Sequence, residues 1–167
     1  LLYVVGITRD EMGGSHYYLV RSWIGNQVPK VDPSQGKQLM ERLSQATEFG
    51  LVRACHDCSE GGIGVACAEM AFAGDLGMEI DLRAIPIDGT PERNDTLLFS
   101  ESNSRFIVEV PPEYQDKFEQ LMSGCSFGQI GKITNIKEFK VHGLEGNIVL
   151  SADIRELKET WQSPLRW

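Results

Sequence analysis

The sequence predicts a mixed α/β fold of the α+β type, with helices against a partly antiparallel sheet, and three observations predict it. Apolar runs of strand length, rich in β-branched and aromatic residues, recur at residues 3–8 and 106–110. Residues 34–49 carry apolar residues at helical spacing, and 63–73 read as a second helix with a wide apolar face, opened by Gly61 or Gly62 and stopped by Gly74. Between residues 127 and 150 three strand-like runs follow one another with no helix between them, which regular βαβ alternation does not produce.

The elements follow in order. Residues 3–8 predict a strand, and Arg9-Asp10-Glu11-Met12-Gly13-Gly14-Ser15 a glycine-rich turn. Residues 17–23 predict a helix, and 26–33 a polar loop with two prolines. In 34–49 the residues Leu39, Met40, Leu43, Ala46 and Phe49 form one helical face, closed by Gly50. Residues 51–55 predict a short buried strand, and Gly61 or Gly62 opens a helix that runs to Ala73 with Gly74 as its stop. Residues 78–82 alternate like a half-exposed strand, and 86–95 form a Pro/Gly/Asp loop. Residues 106–110 predict a strand, and Pro111-Pro112 opens a helix through Tyr114, Phe118, Leu121 and Met122. Strands are expected at 127–134, 136–142 and 147–150, with a turn at 143–146. Ser151 is expected to cap a last helix carrying Ile154, Leu157, Lys158 and Trp161, and 163–167 to form a tail.

Composition narrows the function classes. The 167 residues are 41% hydrophobic and 24% charged, which suits one folded domain spanning 1–167. A net charge of −8 gives no basic face for nucleic acid. No apolar run approaches the roughly 20 residues of a membrane helix, and the start does not read as a signal peptide. A cytoplasmic protein with no membrane partner is expected. The chain opens without Met, inside an apolar run, so a fragment of a longer chain is expected. Cys55-His56-Asp57-Cys58 is formally a C-x-x-C, but no second Cys/His pair stands at zinc spacing. Small apolar cysteines in a reduced interior are the simpler account.

Three polar clusters remain. His56-Asp57-Cys58-Ser59-Glu60-Gly61-Gly62 joins a predicted strand to a predicted helix, where backbone N–H groups and the helix dipole attract an anion. Ser59, Gly61 and Gly62 are therefore candidate phosphate contacts. Asp57 would repel a bare phosphate and is the candidate for a shared metal ion. The alternative is a simple capping turn. The 8–15 cluster is read first as a structural turn, with Glu11 and Ser15 standing where a substrate could be met as the second option. Phe99-Ser100-Glu101-Ser102-Asn103-Ser104-Arg105-Phe106 makes Glu101, Ser102 and Arg105 candidates for a substrate or interface contact, against a solvated loop with a local Glu101–Arg105 pair. His16 and His142 read as surface or hydrogen-bonded histidines, and Trp23, Trp161 and Trp167 as core or contact residues.

These clusters, in this order, with Gly6-Ile7-Thr8 ahead of the first, Ala68-Glu69-Met70-Ala71 behind the second and Leu98 before the third, resemble the C-terminal part of the phosphoribosylformylglycinamidine synthase family, its large PurL component. The resemblance covers nearly the whole chain. It implies the C-terminal half of the second aminoimidazole-ribonucleotide-synthetase-like module, and the fold of that superfamily's C-terminal domain. The implied activity is ATP-dependent conversion of formylglycinamide ribonucleotide to formylglycinamidine ribonucleotide with glutamine-derived ammonia. Implied partners are the N-terminal halves of the synthetase and a glutaminase domain or subunit, with a small-molecule substrate. Implied cofactors are Mg²⁺ and ATP or ADP, with Asp57 matching a metal position and Ser59 a nucleotide contact at an auxiliary, non-catalytic site. No catalytic residue is expected here, because the family's catalytic histidine lies in an N-terminal half, so the fragment alone is expected to be inactive. A non-catalytic nucleotide-binding or scaffold module of the same superfamily is the alternative, followed by a relative of the selenophosphate or thiamine-phosphate kinases.

Overall fold

The computed structural model describes residues 1–90 and 92–166, so Pro91 in the expected 86–95 loop and the contact expected of Trp167 lie outside the described residues. Seven strands form one mixed sheet: β1 Leu2–Val5, β2 Ala54–Asp57, β3 Gly77–Asp81, β4 Phe106–Glu109, β5 Phe127–Thr134, β6 Glu138–His142 and β7 Ile148–Asp153. Their order is β2-β4-β1-β5-β3-β6-β7. Only the β3–β6 pair is parallel; the other pairs are antiparallel. This is the mixed, partly antiparallel sheet predicted.

Helices cover both faces, and β1 explains how. It lies in the middle of the order with every residue buried. The strand period of two sends Leu2 and Val4 to one core and Tyr3 and Val5 to the other. Helices α1 His16–Leu19 and α2 Pro33–Glu48 follow β1. The second core takes Leu39, Leu43 and Ala46 from α2, with Phe118 and Met122 from and just past α5 Gln115–Leu121. The first core takes Ile63, Ala66, Cys67 and Ala71 from α3 Gly62–Gly74, Leu97 and Leu98 from α4 Asn94–Phe99, and Ile154 from α6 Ile154–Gln162. The α2 start is a capped end: Asp32 Oδ1 accepts from the N–H groups of Ser34 and Gln35, both at 3.0 Å, ahead of a proline that lacks an N–H.

Several predicted elements are corrected. The strand expected at 51–55 begins at Ala54 and is a half-exposed edge, because its ladder with β4 runs from Ala54↔Glu109 to Asp57↔Phe106. Asp57 thus ends a strand. The helix expected at 17–23 stops at Leu19, since Ser22 takes a positive φ of 56° and Trp23 turns back onto Tyr17 and Tyr18. Asp153, not Ser151, caps the last helix, with Oδ1 accepting from Arg155 N–H at 2.7 Å. Ser151 instead belongs to β7, whose pairing with β6 extends to Asp153. The helix opened by the proline pair divides into a 3₁₀ turn, Pro112–Tyr114, and α5. The expected tail carries a 3₁₀ turn, Ser163–Leu165, and α4 forms where no helix was assigned. Strand β3 is more buried than expected, with Met78 and Ile80 in the core.

No cysteine is in a disulfide among the described residues. Cys55 is exposed on the edge strand, whereas Cys58 and Cys67 are buried, and burial pushes the Cys58 thiol up to about 12. A thiol reagent added to the folded protein is therefore expected to modify Cys55 about 100-fold faster than Cys58 or Cys67. Peptide mass mapping of the alkylated protein checks this, and equal modification of Cys55 and Cys58 would contradict the packing.

Candidate functional site

The three polar clusters, separated by tens of residues in the sequence, come together in space. The centre of the junction is Glu101. Its Oε1 accepts from Gly61 N–H at 2.8 Å, one residue before α3, and from His16 N–H at 2.9 Å, at the start of α1. The carboxylate therefore ties two helix starts together, where a negative charge is favoured by the aligned peptide dipoles. The local Glu101–Arg105 pair expected from spacing does not form.

Arg105 takes a different place. It is 1% exposed, and its guanidinium donates to Ser102 O and Thr8 Oγ1, each at 2.9 Å, and to Ser100 O. Burial pulls its pKa below the ordinary value. Arg105 is thus corrected from a substrate or interface candidate to an internal clamp. Ser102 is also buried; its Oγ accepts from Arg9 N–H at 3.0 Å, while Ser100 Oγ donates to Arg9 O at 2.6 Å. Together these bonds fix the loop after β1 to the loop before β4. Sequence reasoning missed this use of Thr8, Ser100 and His16, because nothing local marks a partner about ninety residues away.

The turn after β2 is shaped from within. Cys58 N–H donates to Arg105 O at 2.9 Å, and Gly62 N–H to Ser59 O at 3.0 Å. Gly61 and Gly62 have φ of 78° and 62°, in the left-handed region. A Cβ on Gly62 would stand 2.3 Å from Ser100 O. The expectation that Gly61 and Gly62 offer free N–H groups to a phosphate is therefore corrected: Glu101 and Ser59 O already accept from them. Glu11 and Ser15 are 5% and 1% exposed, as the structural turn favoured for this segment requires, and they do not face a substrate cleft. Ser15 Oγ caps α1, accepting from Tyr18 N–H at 3.2 Å, and Glu11 Oε1 accepts from Lys30 N–H at 3.0 Å.

What stays open is a cleft of about 410 Å³ beside the junction, lined by Asp57, Ser59, Glu60, Glu101, Asn103 and Ser104, with Pro29 and Met40 on its rim. The Asp57 side chain is 66% exposed, with Oδ1 3.6 Å from His56 Nδ1. His56 itself is drawn to α3, its Nε2 3.0 Å from Glu69 Oε2, whose other oxygen accepts from Trp161 Nε1 at 2.8 Å. Asn103 and Ser104 also wall a second hollow of about 410 Å³, which brings in Arg9, Lys30 and Gln35.

The chemistry of the first cleft is acidic. Asp57, Glu60 and Glu101 line it, and the cation among its lining residues, Arg105, is already bonded within the protein. A bare phosphate would be repelled, so an anion is accommodated there only with a cation between. Among the described residues no group of three or more His, Cys, Asp or Glu side chains forms a metal cage. That donor set does fit Mg²⁺ shared with a nucleotide, since Mg²⁺ takes one or two carboxylates and completes its shell with phosphate oxygens and water.

Comparison with known proteins then decides the family. A family model described as AIR synthase related protein, C-terminal domain, matches residues 1–144. The chain belongs to this family. The match takes in all three polar clusters and ends just before β7 and α6. Family relatives include the phosphoribosylformylglycinamidine synthase subunit PurL of Limosilactobacillus reuteri, 38% identical over 165 residues, and that of Thermococcus sibiricus, 33% identical over 163. Each alignment covers 98% of this chain but only 21% and 22% of the relative, so the chain spans about one fifth of their length. PurL of Thermotoga maritima, solved with FGAR, shares the fold at a TM-score of 0.82 and 20% identity, over 93% of this chain and 27% of that one. The same Thermotoga protein has been solved with ATP and as the assembly PurLQS. No helix among the described residues is long and apolar enough to cross a membrane.

Proposed function

We propose that this chain is the C-terminal part of a phosphoribosylformylglycinamidine synthase, a ligase of purine biosynthesis. The whole enzyme would convert formylglycinamide ribonucleotide to formylglycinamidine ribonucleotide with ATP and glutamine-derived ammonia. The observation that carries this reading is 33–38% identity to PurL subunits sustained over 98% of the chain. The N-terminal halves of the synthetase and a glutaminase domain or subunit would carry the rest of the reaction, a reading supported by the chain's spanning about one fifth of its PurL relatives. The isolated 167 residues would not turn over.

Within that enzyme the acidic cleft is an auxiliary nucleotide site. Asp57, through its exposed carboxylate, would hold Mg²⁺, and the Ser59 hydroxyl would contact the nucleotide. Bound Mg²⁺ would supply charge neutralisation between the phosphates and the acids of the cleft. Glu101 acts indirectly, since by tying the starts of α1 and α3 together it keeps the Asp57–Ser59 turn in place. Gly61 and Gly62 contribute the turn's shape.

Asp57→Asn in the full-length enzyme is expected to weaken Mg²⁺-nucleotide retention about 10–100-fold. Nucleotide released per chain by denaturation after gel filtration measures it, alongside equilibrium dialysis with Mg·ADP. Unchanged retention would remove Asp57 from the site. Absence of formylglycinamidine ribonucleotide on supplying the full-length protein with ATP, Mg²⁺, ammonia and formylglycinamide ribonucleotide would overturn the assignment itself.

A further inference from the structure

The segment between α1 and α2 is well anchored and yet presents an uncovered apolar surface. Tyr17 at its start stacks on Phe99, ring centroids 4.6 Å apart, and its hydroxyl donates to Asp95 at 2.9 Å. Trp23 packs edge-on against Tyr18 at 5.6 Å, and Gly13 N–H donates to Gln27 O at 2.7 Å. Anchored in this way, the segment still leaves Leu19, Val20, Ile24, Val28 and Val31 exposed, with Val20 at 79% and Ile24 at 99%. Ordering a stretch of chain costs conformational entropy, and clustered apolar groups left in water after it mark a contact surface. The segment also runs to the candidate site, where Pro29 forms the rim of the acidic cleft beside Met40, itself 52% exposed.

We infer that residues 19–31 are the docking surface for the remainder of the synthetase chain, an inference that rests on the function proposed above. Two observations select that occupant. This chain is 21–22% of the length of its PurL relatives, so most of such a protein lies outside it. The cleft is also one-sided, with Asp57, Glu60 and Glu101 facing it and its lining cation buried and bonded. Pro29 belongs both to the apolar segment and to the lining of the cleft, so a body seated on the segment borders the cleft. The matching surface is apolar at its centre and basic toward the cleft, so that Asp57, Glu60 and the phosphates of a bound Mg²⁺-nucleotide are compensated as the interface closes, Glu101 being held already by Gly61 and His16 N–H.

The test uses the full-length protein and two introduced thiols. Ile24→Cys places one on the docking surface, where the 99% exposure of the original side chain means that the substitution costs the local fold nothing. Lys117→Cys places a reference thiol on α5, at an exposed position that shares a hollow with Phe49 beyond the opposite end of α2. Alkylation with N-ethylmaleimide under native conditions, followed by peptide mass, is expected to be about tenfold or more slower at position 24 than at 117. Val20→Cys serves as a second variant and is expected to behave like Ile24→Cys. Equal rates at 24, 20 and 117 overturn the inference. Protection that vanishes on dilution with a halving of molar mass assigns the surface to a second copy. Protection that vanishes when a separate subunit is removed assigns it to that subunit, and both results also overturn the inference. Synthase activity assayed on the same preparations separates the two proposals: product formation with freely labelled thiols refutes the docking surface alone, and protected thiols without product formation refute the function alone.

Discussion

Replacing Arg105 by Ala is expected to cost about 3–5 kcal/mol of folding stability, the largest effect of any substitution around the candidate site. The side chain is 1% exposed and makes three bonds, to Ser102 O and Ser100 O within its own loop and to Thr8 Oγ1 on the loop after β1, so it bridges two chain segments. Truncation leaves those buried acceptors without a donor and opens a cavity among β1, β4 and the loop between α4 and β4. In a protein of this size the loss corresponds to a fall in melting temperature of about 10 °C. Thermal unfolding followed by circular dichroism measures it, and urea unfolding of the same variant gives the free energy. Arg105→Lys should recover part of the loss, since an ammonium retains the charge but not the planar fork. The clamp and a substrate contact predict different things here. A substrate contact would leave stability within about 0.5 kcal/mol and reduce activity, as surface substitutions do. A stable Arg105→Ala protein would therefore remove the clamp from the account.

The same residue shows where the sequence could be read and where it could not. Local signals made these elements legible from their own side chains: α2 by an apolar stripe at three and four residues, α3 by a largely apolar run between a glycine start and a glycine stop, and β4 and β5 by strand composition bounded by turn residues. The three polar clusters were legible as well, because hydroxyls, acids and glycines at such density are unusual between apolar anchors. Their convergence was not. Glu101 accepts from Gly61, forty residues earlier, and from His16, eighty-five earlier, and neither position signals the other. A glycine pair before a helix reads as donors waiting for a ligand, and only the fold reveals that an internal carboxylate already takes one of them. The shift of β2 has a related cause. Leu51 and Val52 have the composition of a strand, but the ladder to β4 is set by the partner strand and begins at Ala54. Ser151 and Asp153 are both good cap residues, and the reach of the β6–β7 pairing chooses between them.

Gly62→Ala tests what the glycine pair is for, and its expected cost is about 2–4 kcal/mol. Gly62 has φ of 62°, where an alanine is strained, and its new Cβ would lie 2.3 Å from Ser100 O and 2.8 Å from Leu98 O. Both obstacles are backbone carbonyls at the end of α4, so neither can rotate away. The start of α3 must instead lift off α4, and Glu101 loses its hold on Gly61. Gly61→Ala meets a softer obstacle, because its Cβ would lie 2.3 Å from Val65 Cγ2, a side-chain atom. Its cost should be smaller, about 1–2 kcal/mol, mainly the strain of a left-handed alanine. The ordering distinguishes two uses of the same residues. If the glycines serve the approach of a ligand's phosphate, Gly62→Ala leaves the nucleotide-free protein as stable as before and lowers only nucleotide retention. If they serve the packing of α3 on α4, the nucleotide-free protein itself unfolds at lower denaturant, and Gly62→Ala exceeds Gly61→Ala. Urea unfolding of the three proteins without nucleotide decides between these uses. Equal midpoints for all three would show that the turn is shaped for a ligand and not for the helix beneath it.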